Sequence, residues 1–177
     1  MKTRPLVWLL LAGSVLISLG LAACAPDNPV EVPPPQEVSD SASGRYCGMS
    51  LSEHPGPKSQ IFLKSRPGQP VWFISVRDAV AFTLLPEEPK DVAAIYVNDM
   101  GRAKNWERPE AGAWVEARQA WFVIESKLKG GMGAVEAIPF SEHSAATSFQ
   151  ATNGGRLVRL PDIPNDYVLS GERGLLP

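Results

Sequence analysis

Val71-Trp72-Phe73-Ile74-Ser75-Val76-Arg77-Asp78-Ala79-Val80-Ala81-Phe82-Thr83 is the stretch whose reading decides the fold. Val71 to Ile74 is β-branched and aromatic, as a strand requires. Ser75 then offers an N-cap, with Asp78 where a capping-box acid belongs. Val76, Ala79, Val80 and Thr83 follow at helical spacing, and Pro86 ends the helix. Upstream, Gln60 to Lys64 reads as a strand joined through the turn Arg66-Pro67-Gly68-Gln69. Downstream, Val92 to Val97 reads as a third strand, leaving through Asn98-Asp99-Met100-Gly101. The unit is strand, strand, helix, strand.

The second half repeats it. Trp121 to Glu125 is a strand, Lys129-Gly130-Gly131-Met132-Gly133 a turn, and Val135 to Phe140 a strand that Pro139 marks as ending or lying at an edge. Ser141 is placed to cap a helix carrying Ala145, Ala146 and Phe149 on one side. Asn153-Gly154 stops it, and Arg156 to Leu160 is the last strand. Phe73, Ala79 and Phe82 match Phe140, Ala146 and Phe149 at one constant shift. Neither half is large enough to bury much alone. The expected fold is therefore α+β, two small ββαβ units packed into one compact body.

The chain has 177 residues, a formal net charge of −2 and 44% hydrophobic content. The charge gives no electrostatic footprint for nucleic acid. Met1 to Cys24 has the pattern of an export signal: Lys2 and Arg4, an apolar run from Leu6 to Leu21, then small residues. Leu21-Ala22-Ala23-Cys24 resembles a bacterial lipobox, which makes residues 1–23 a lipoprotein signal peptide and Cys24 the lipid attachment residue. Ala25 after it points, by resemblance to bacterial sorting patterns, to the periplasm and the outer membrane. Residues 24–43, with Pro26, Pro29 and Pro33-Pro34-Pro35, read as an extended flexible linker. Residues 44–177 are the folding part, in halves of about 44–110 and 111–165.

The sequence has 2 Cys. With Cys24 lipidated, Cys47 is an unpaired thiol in an exported protein, which calls for a reason. It stands in Arg45-Tyr46-Cys47-Gly48-Met49. A thiolate and a thioether are the soft ligands that favour Cu(I), and Gly48 gives the backbone freedom to turn both sulfurs toward one point. The alternative is a buried free Cys beside a core Met. Met132, in a glycine turn with little core to join, and Met100 are further candidate sulfurs. His54 offers an imidazole; His143 has no evident role. Two histidines make a weak zinc case. Neither has a nucleophile signature around it, so an enzyme is not expected. Gly130-Gly131-Met132-Gly133 lacks the Gly-Lys-Ser/Thr ending of a phosphate loop. Trp106 and Trp114 are expected to plug the junction between the halves.

These pieces together resemble the NosL family, accessory lipoproteins of nitrous oxide reductase. The resemblance is carried by the lipobox, Cys47-Gly48-Met49, Pro55-Gly56-Pro57-Lys58, Tyr96-Val97-Asn98-Asp99-Met100-Gly101, Trp106-Glu107, Trp121-Phe122-Val123, Lys127 to Gly133 and Gly154-Gly155. It implies a Cu(I)-binding metallochaperone of two ββαβ halves that works with the reductase's maturation proteins. Many relatives carry a second Cys where this chain has Gly44, so the resemblance leaves one thiolate here. The site would then be completed by another Met, a His, water or a partner. The competing reading is a metal-free docking lipoprotein for a membrane complex.

Overall fold

The computed structural model describes residues 32–109 and 111–169. The signal segment and Cys24 lie outside the described residues. Ten elements follow in order: β1 (Ser59–Leu63), β2 (Val71–Phe73), α1 (Val76–Leu84), β3 (Val92–Asn98), β4 (Trp114–Glu116), β5 (Trp121–Ile124), β6 (Ile138–Phe140), α2 (His143–Asn153), β7 (Arg156–Arg159) and α3 (Asn165–Leu169). Single 3-10 turns stand at Leu51–Glu53 and Leu160–Asp162.

The two units share one topology. In each, the first strand is central and antiparallel to both neighbours, giving β2-β1-β3 and β6-β5-β7. A tight connection lays the second strand on one side, and the helical crossover carries the third to the other. The sequence repeat is the packing that makes this work. Phe73 meets Phe82 with ring centroids 5.4 Å apart, and Phe140 meets Phe149 at 5.2 Å. Each pair ties the end of the second strand to the helix after it.

The helix ends follow local chemistry. Ser75 Oγ accepts the Asp78 N–H at 3.3 Å, while the Asp78 carboxylate lies 3.7 Å from Arg77. Leu85 is extended, as a residue before proline must be. Gly154 closes α2 at φ +70, with its N–H on Gln150 O. Ser141 does not cap α2; the N-cap is Glu142, and Ser141 donates its hydroxyl and its N–H to the buried Asp99. The repeat's own shift sets Glu142 opposite Ser75. Pro139 lies in β6, an edge strand, where its missing N–H costs nothing.

Two further expectations change. β4 pairs with β3, Asn98 opposite Trp114, so the first unit extends through Glu116 and the halves divide between β4 and β5 rather than at 110/111. The linker, expected to run to residue 43, is bonded to the body from Pro33 onward. Tyr96 Oη donates to Pro33 O at 2.9 Å. Gln36 and Gln60 exchange two bonds of 2.9 Å each. Gln36 Nε2 reaches Gly68 O, and Glu37 accepts the Gly112 N–H. Val38 and Ala42 pack with Leu51, Ile74, Met49 and Trp72. Residues 33–43 thus form a strap along the first sheet, on the side to which Gln60 projects.

The main core lies between the two sheets and α1. Ile61, Phe73, Ile95 and Val97 from the first sheet meet Val76, Ala79 and Phe82 of α1 and Phe122, Ile124 and Val158 of the second sheet. Val168 of α3 joins the same core. A second cluster on the far side of the second sheet holds Val123, Ile138 and Phe140 against Ala146 and Phe149. Trp106 packs in that cluster, and Trp114 stacks on Trp72, ring centroids 6.0 Å apart, in the first unit. Trp106 sits at the junction as expected, its ring also against Gly56 of the first half, whereas Trp114 stays within the first unit. Among the described residues no helix is long and apolar enough to cross a membrane.

Glu136 fastens the units together. It is 1% exposed. Its Oε1 accepts from Arg77 N at 2.9 Å, Ala137 N at 2.9 Å and Ser75 Oγ at 3.3 Å. A carboxylate of the second unit therefore caps the first turn of the first unit's helix, where the helix dipole favours negative charge.

Candidate metal centre

The Cys47 loop is a closed turn at the end of the strap. Ser43 and Ser50 pair across its base. Inside, Gly44 N bonds Met49 O at 2.9 Å and Gly48 N bonds Gly44 O at 2.8 Å. Arg45 N bonds Trp72 O, fixing the loop to β2. Gly48 sits at φ +68, a conformation that an L side chain would strain.

Cys47 is free and exposed at the tip. Its Sγ lies back over Gly44: a Cβ built on Gly44 would be 2.8 Å from the sulfur and 3.0 Å from Ile74. The bare glycine is what lets the thiol rest there. Met49 is half-buried and packs against the cluster of Ala42, Leu51 and Ile74. Cys47 is thus an exposed residue whose sulfur lies over buried Gly44, and Met49 a half-buried one against an apolar wall.

The arm before the thiol is held by Glu88, 8% exposed. Its Oε2 takes Arg45 Nη2 at 3.2 Å. Burial raises the Tyr46 phenol above its ordinary range, and the Glu88 charge and hydrogen bond add to it. The Tyr46 ring leans on Phe73 at 5.8 Å. Beside the loop is an open polar pit of about 450 Å³, lined in part by Gly44, Arg45, Gly48 and Trp72.

After the loop the chain runs into His54-Pro55-Gly56, which is seated against the glycine turn of the second unit. A Cβ on Gly131 would be 2.5 Å from Pro55 O and 3.0 Å from His54 Cβ. His54 Nδ1 is 3.4 Å from Gly131 O. Lys58, 4% exposed, holds the segment by donating to His54 O, Pro55 O and Gly56 O at 2.7, 3.2 and 2.6 Å. Met132 projects from that turn, 49% exposed. Met100 is different: it packs in the cluster beneath α2. His143 stacks edge-on against Trp121 at 4.6 Å, on an exposed part of the second unit.

Among the described residues no three of His, Cys, Asp and Glu group together. The soft donors that the loop itself carries are the Cys47 thiol and the Met49 thioether, residue types that would suit a monovalent soft ion rather than one needing an oxygen cage. The sequence did not disclose Glu88. A carboxylate in an acidic, proline-containing loop reads as solvated, and only the tertiary fold brings it against Arg45 and Tyr46.

The chain is thus a two-unit α+β body that, among the described residues, carries one free thiol on a glycine-closed loop. The sequence model of the NosL family matches residues 35–168. This chain belongs to the NosL family. It is 42% identical to the copper-binding lipoprotein NosL of Achromobacter cycloclastes over 171 residues, covering 96% of this chain and 86% of that protein. It is 34% identical to the copper-binding lipoprotein NosL of Stutzerimonas stutzeri over 151 residues, covering 85% and 77%. The crystal structure of the copper chaperone NosL from Shewanella denitrificans superposes with a TM-score of 0.69 at 34% identity, covering 75% of this chain and 98% of that one.

Proposed function

We propose that this chain is a Cu(I) carrier that delivers copper for maturation of nitrous oxide reductase, held by lipid on Cys24 at the periplasmic face of the outer membrane. It is a carrier and not an enzyme. The observation that carries the reading is the exposed Cys47 thiol on its closed loop, in a chain whose relatives are named copper-binding lipoproteins. Copper is the cargo. Cys47 supplies the thiolate and Met49 a neutral, exchangeable sulfur. Copper binding displaces the thiol proton. An incomplete shell suits a carrier, because an acceptor completes it during transfer, and the polar pit leaves the loop approachable.

Titration of the full-length chain with Cu(I) under anaerobic, reducing conditions, in competition with a chelator of known strength, tests the reading. One tightly held ion per chain is the expected result, and no binding above the chelator's background overturns it. The competing metal-free docking role then becomes the better account.

The third donor is testable in the same assay. Met132 is exposed on a turn seated against His54-Pro55, whereas Met100 is packed beneath α2. Met132→Leu is expected to weaken Cu(I) binding by about tenfold, the scale of an auxiliary ligand contact. Met100→Leu should leave affinity unchanged, since it conserves volume in a core. If neither substitution changes affinity, the third donor is His54, water or a partner.

The anchor is tested separately. Cys24→Ala in the full-length chain is expected to abolish lipid attachment, read by mass measurement of the mature N-terminus and by release from membranes. A mature wild-type chain that begins elsewhere and carries no lipid would refute the anchor and leave the copper reading standing.

A further inference from the structure

We propose that the polar pit beside the Cys47 loop is where an acidic segment of the copper acceptor docks, held by Arg45 and Arg66. The inference rests on the carrier reading and names the chemistry of the partner that receives the ion. The pit measures about 450 Å³ and is bounded by the strap, the Cys47 loop and the run from Arg66 into β2. Three observations of different kind support an acidic occupant.

The first is charge. The chain as a whole carries a formal net charge of −2. Among the described residues, the charged side chains lining the pit are Arg45 and Arg66 alone, with the hydroxyls of Ser39, Ser41 and Ser43 beside them. Asp40, between two of those serines, is exposed but outside the lining. A concave site of one sign focuses its field on the opposite charge. Guanidinium groups bind carboxylates through paired hydrogen bonds, and serine hydroxyls donate as well.

The second is the state of the two arginines. Arg45 Nη2 donates to Glu88 at 3.2 Å, yet the Arg45 side chain is 48% exposed and that of Glu88 7%. The buried acid holds one end of the fork and leaves other donors for a partner. Arg66 is exposed, and its Nη2 makes a long bond of 3.4 Å to Gln69 Oε1. A carboxylate displaces so weak a neutral contact.

The third is position. Gly44, over which the Cys47 sulfur lies, and Gly48 both line the pit. An anion seated there is next to the thiol. A protein acceptor gains from this, because docking brings its own copper ligands to the loop. A membrane headgroup in the same pit would instead cover the loop that has to give up the ion.

The test needs no copper, so its failure and that of the Cu(I) titration are distinguishable. The full-length chain carrying Cys24→Ala has Cys47 as its one thiol. Its labelling by dithionitrobenzoate, a dianionic aromatic disulfide, is compared with labelling by neutral dithiodipyridine, which reports any change in the thiol itself. The ratio of the two rates is expected to fall about threefold in Arg66→Gln and about tenfold in Arg66→Glu, as the attraction is weakened and then reversed. A capped Asp-Glu-Asp-Glu peptide is expected to slow labelling by the anionic reagent saturably. A ratio unchanged in a folded Arg66→Glu chain overturns the proposal. So does an acidic peptide that slows labelling no more than its Asn-Gln-Asn-Gln counterpart. Inorganic phosphate that competes as well as the acidic peptide assigns the pit to free phosphate or a lipid headgroup and overturns the acceptor too. Arg66 lies on an exposed turn, and circular dichroism checks each variant. Should the variants fail to fold, the peptide competition on the parent chain decides alone.

Discussion

Replacing Cys47 by serine is expected to lose more than about a hundredfold in Cu(I) affinity at neutral pH, above the upper end for losing an outer-shell partner of a metal ligand. The thiolate brings negative charge and a soft sulfur to the ion, and a serine hydroxyl brings neither. The substitution is nearly isosteric, and the residue is exposed at the loop tip, so the fold should be untouched. Met49→Leu is expected to cost less, about tenfold, because a thioether adds only a polarisable lone pair. Met49 packs on Ala42, Leu51 and Ile74, and leucine preserves that contact. Since the thiol gives up a proton on binding, wild-type affinity should rise as pH rises from acid to neutral. Chelator competition on each variant, with circular dichroism to check folding, makes the measurement. A folded Cys47→Ser chain with wild-type affinity would remove the basis of the carrier reading.

The second large effect concerns stability and is expected at Glu136. Burial pushes its carboxyl up to about 7 from 4.5, despite the lowering by bonds from Arg77, Ala137 and Ser75. The folded protein therefore holds this proton more tightly than the unfolded chain does. Between pH 4.5 and 7 the folded state is protonated and the unfolded state is not, so stability from this group falls as pH rises through that window. Shifting from pH 8 to pH 5 should raise unfolding free energy by about 2–3 kcal/mol.

Glu136→Gln keeps an acceptor oxygen for the three donors and removes the titration. It should abolish this pH dependence and be no less stable than wild type at pH 8. Glu136→Ala strands Ser75 Oγ, Arg77 N and Ala137 N and opens a cavity, at a cost on the order of 3–5 kcal/mol. Urea unfolding at the two pH values separates the three proteins. A Glu136→Gln chain that retains the full pH dependence would assign it elsewhere.

Much of this fold could be read from the chain because its local signals agree with one another. Phe73 and Phe82, then Phe140 and Phe149, advertise two like units, and both pairs are in ring contact. Ser75, Pro86 and Gly154 mark helix ends by chemistry that acts within a few residues. What escaped the reading depends on partners distant in sequence. Ser141 looks like a cap until Asp99 claims it. Trp114 to Glu116 is too short for a periodic pattern and becomes a strand only by pairing with β3. Residues 33–43 have a linker's composition, yet Gln60, a buried polar residue inside a strand, demands a partner and finds Gln36. At the metal centre, the thiol and its glycine were plain in the sequence. The grip of Glu88 and the seating of the glycine turn on His54-Pro55 were not, because both join residues dozens of positions apart.

The strap sets a length. Among the described residues the chain is first tied to the body at Pro33, so the proposed lipid on Cys24 would have residues 25–32 between it and that point. Fully extended, the nine steps from Cys24 to Pro33 cover at most about 32 Å, at the maximal ~3.6 Å per residue. With that anchor, the body would search a thin layer rather than a volume. An acceptor rooted in the same membrane would then share that thin layer with the thiol, which raises their local concentration over free mixing in the periplasm. Transfer would then be governed by how often two anchored bodies drift past each other in the plane, and so by how many of each the membrane holds. Lengthening the leash with inserted glycine and serine residues would dilute that encounter without touching a single copper ligand.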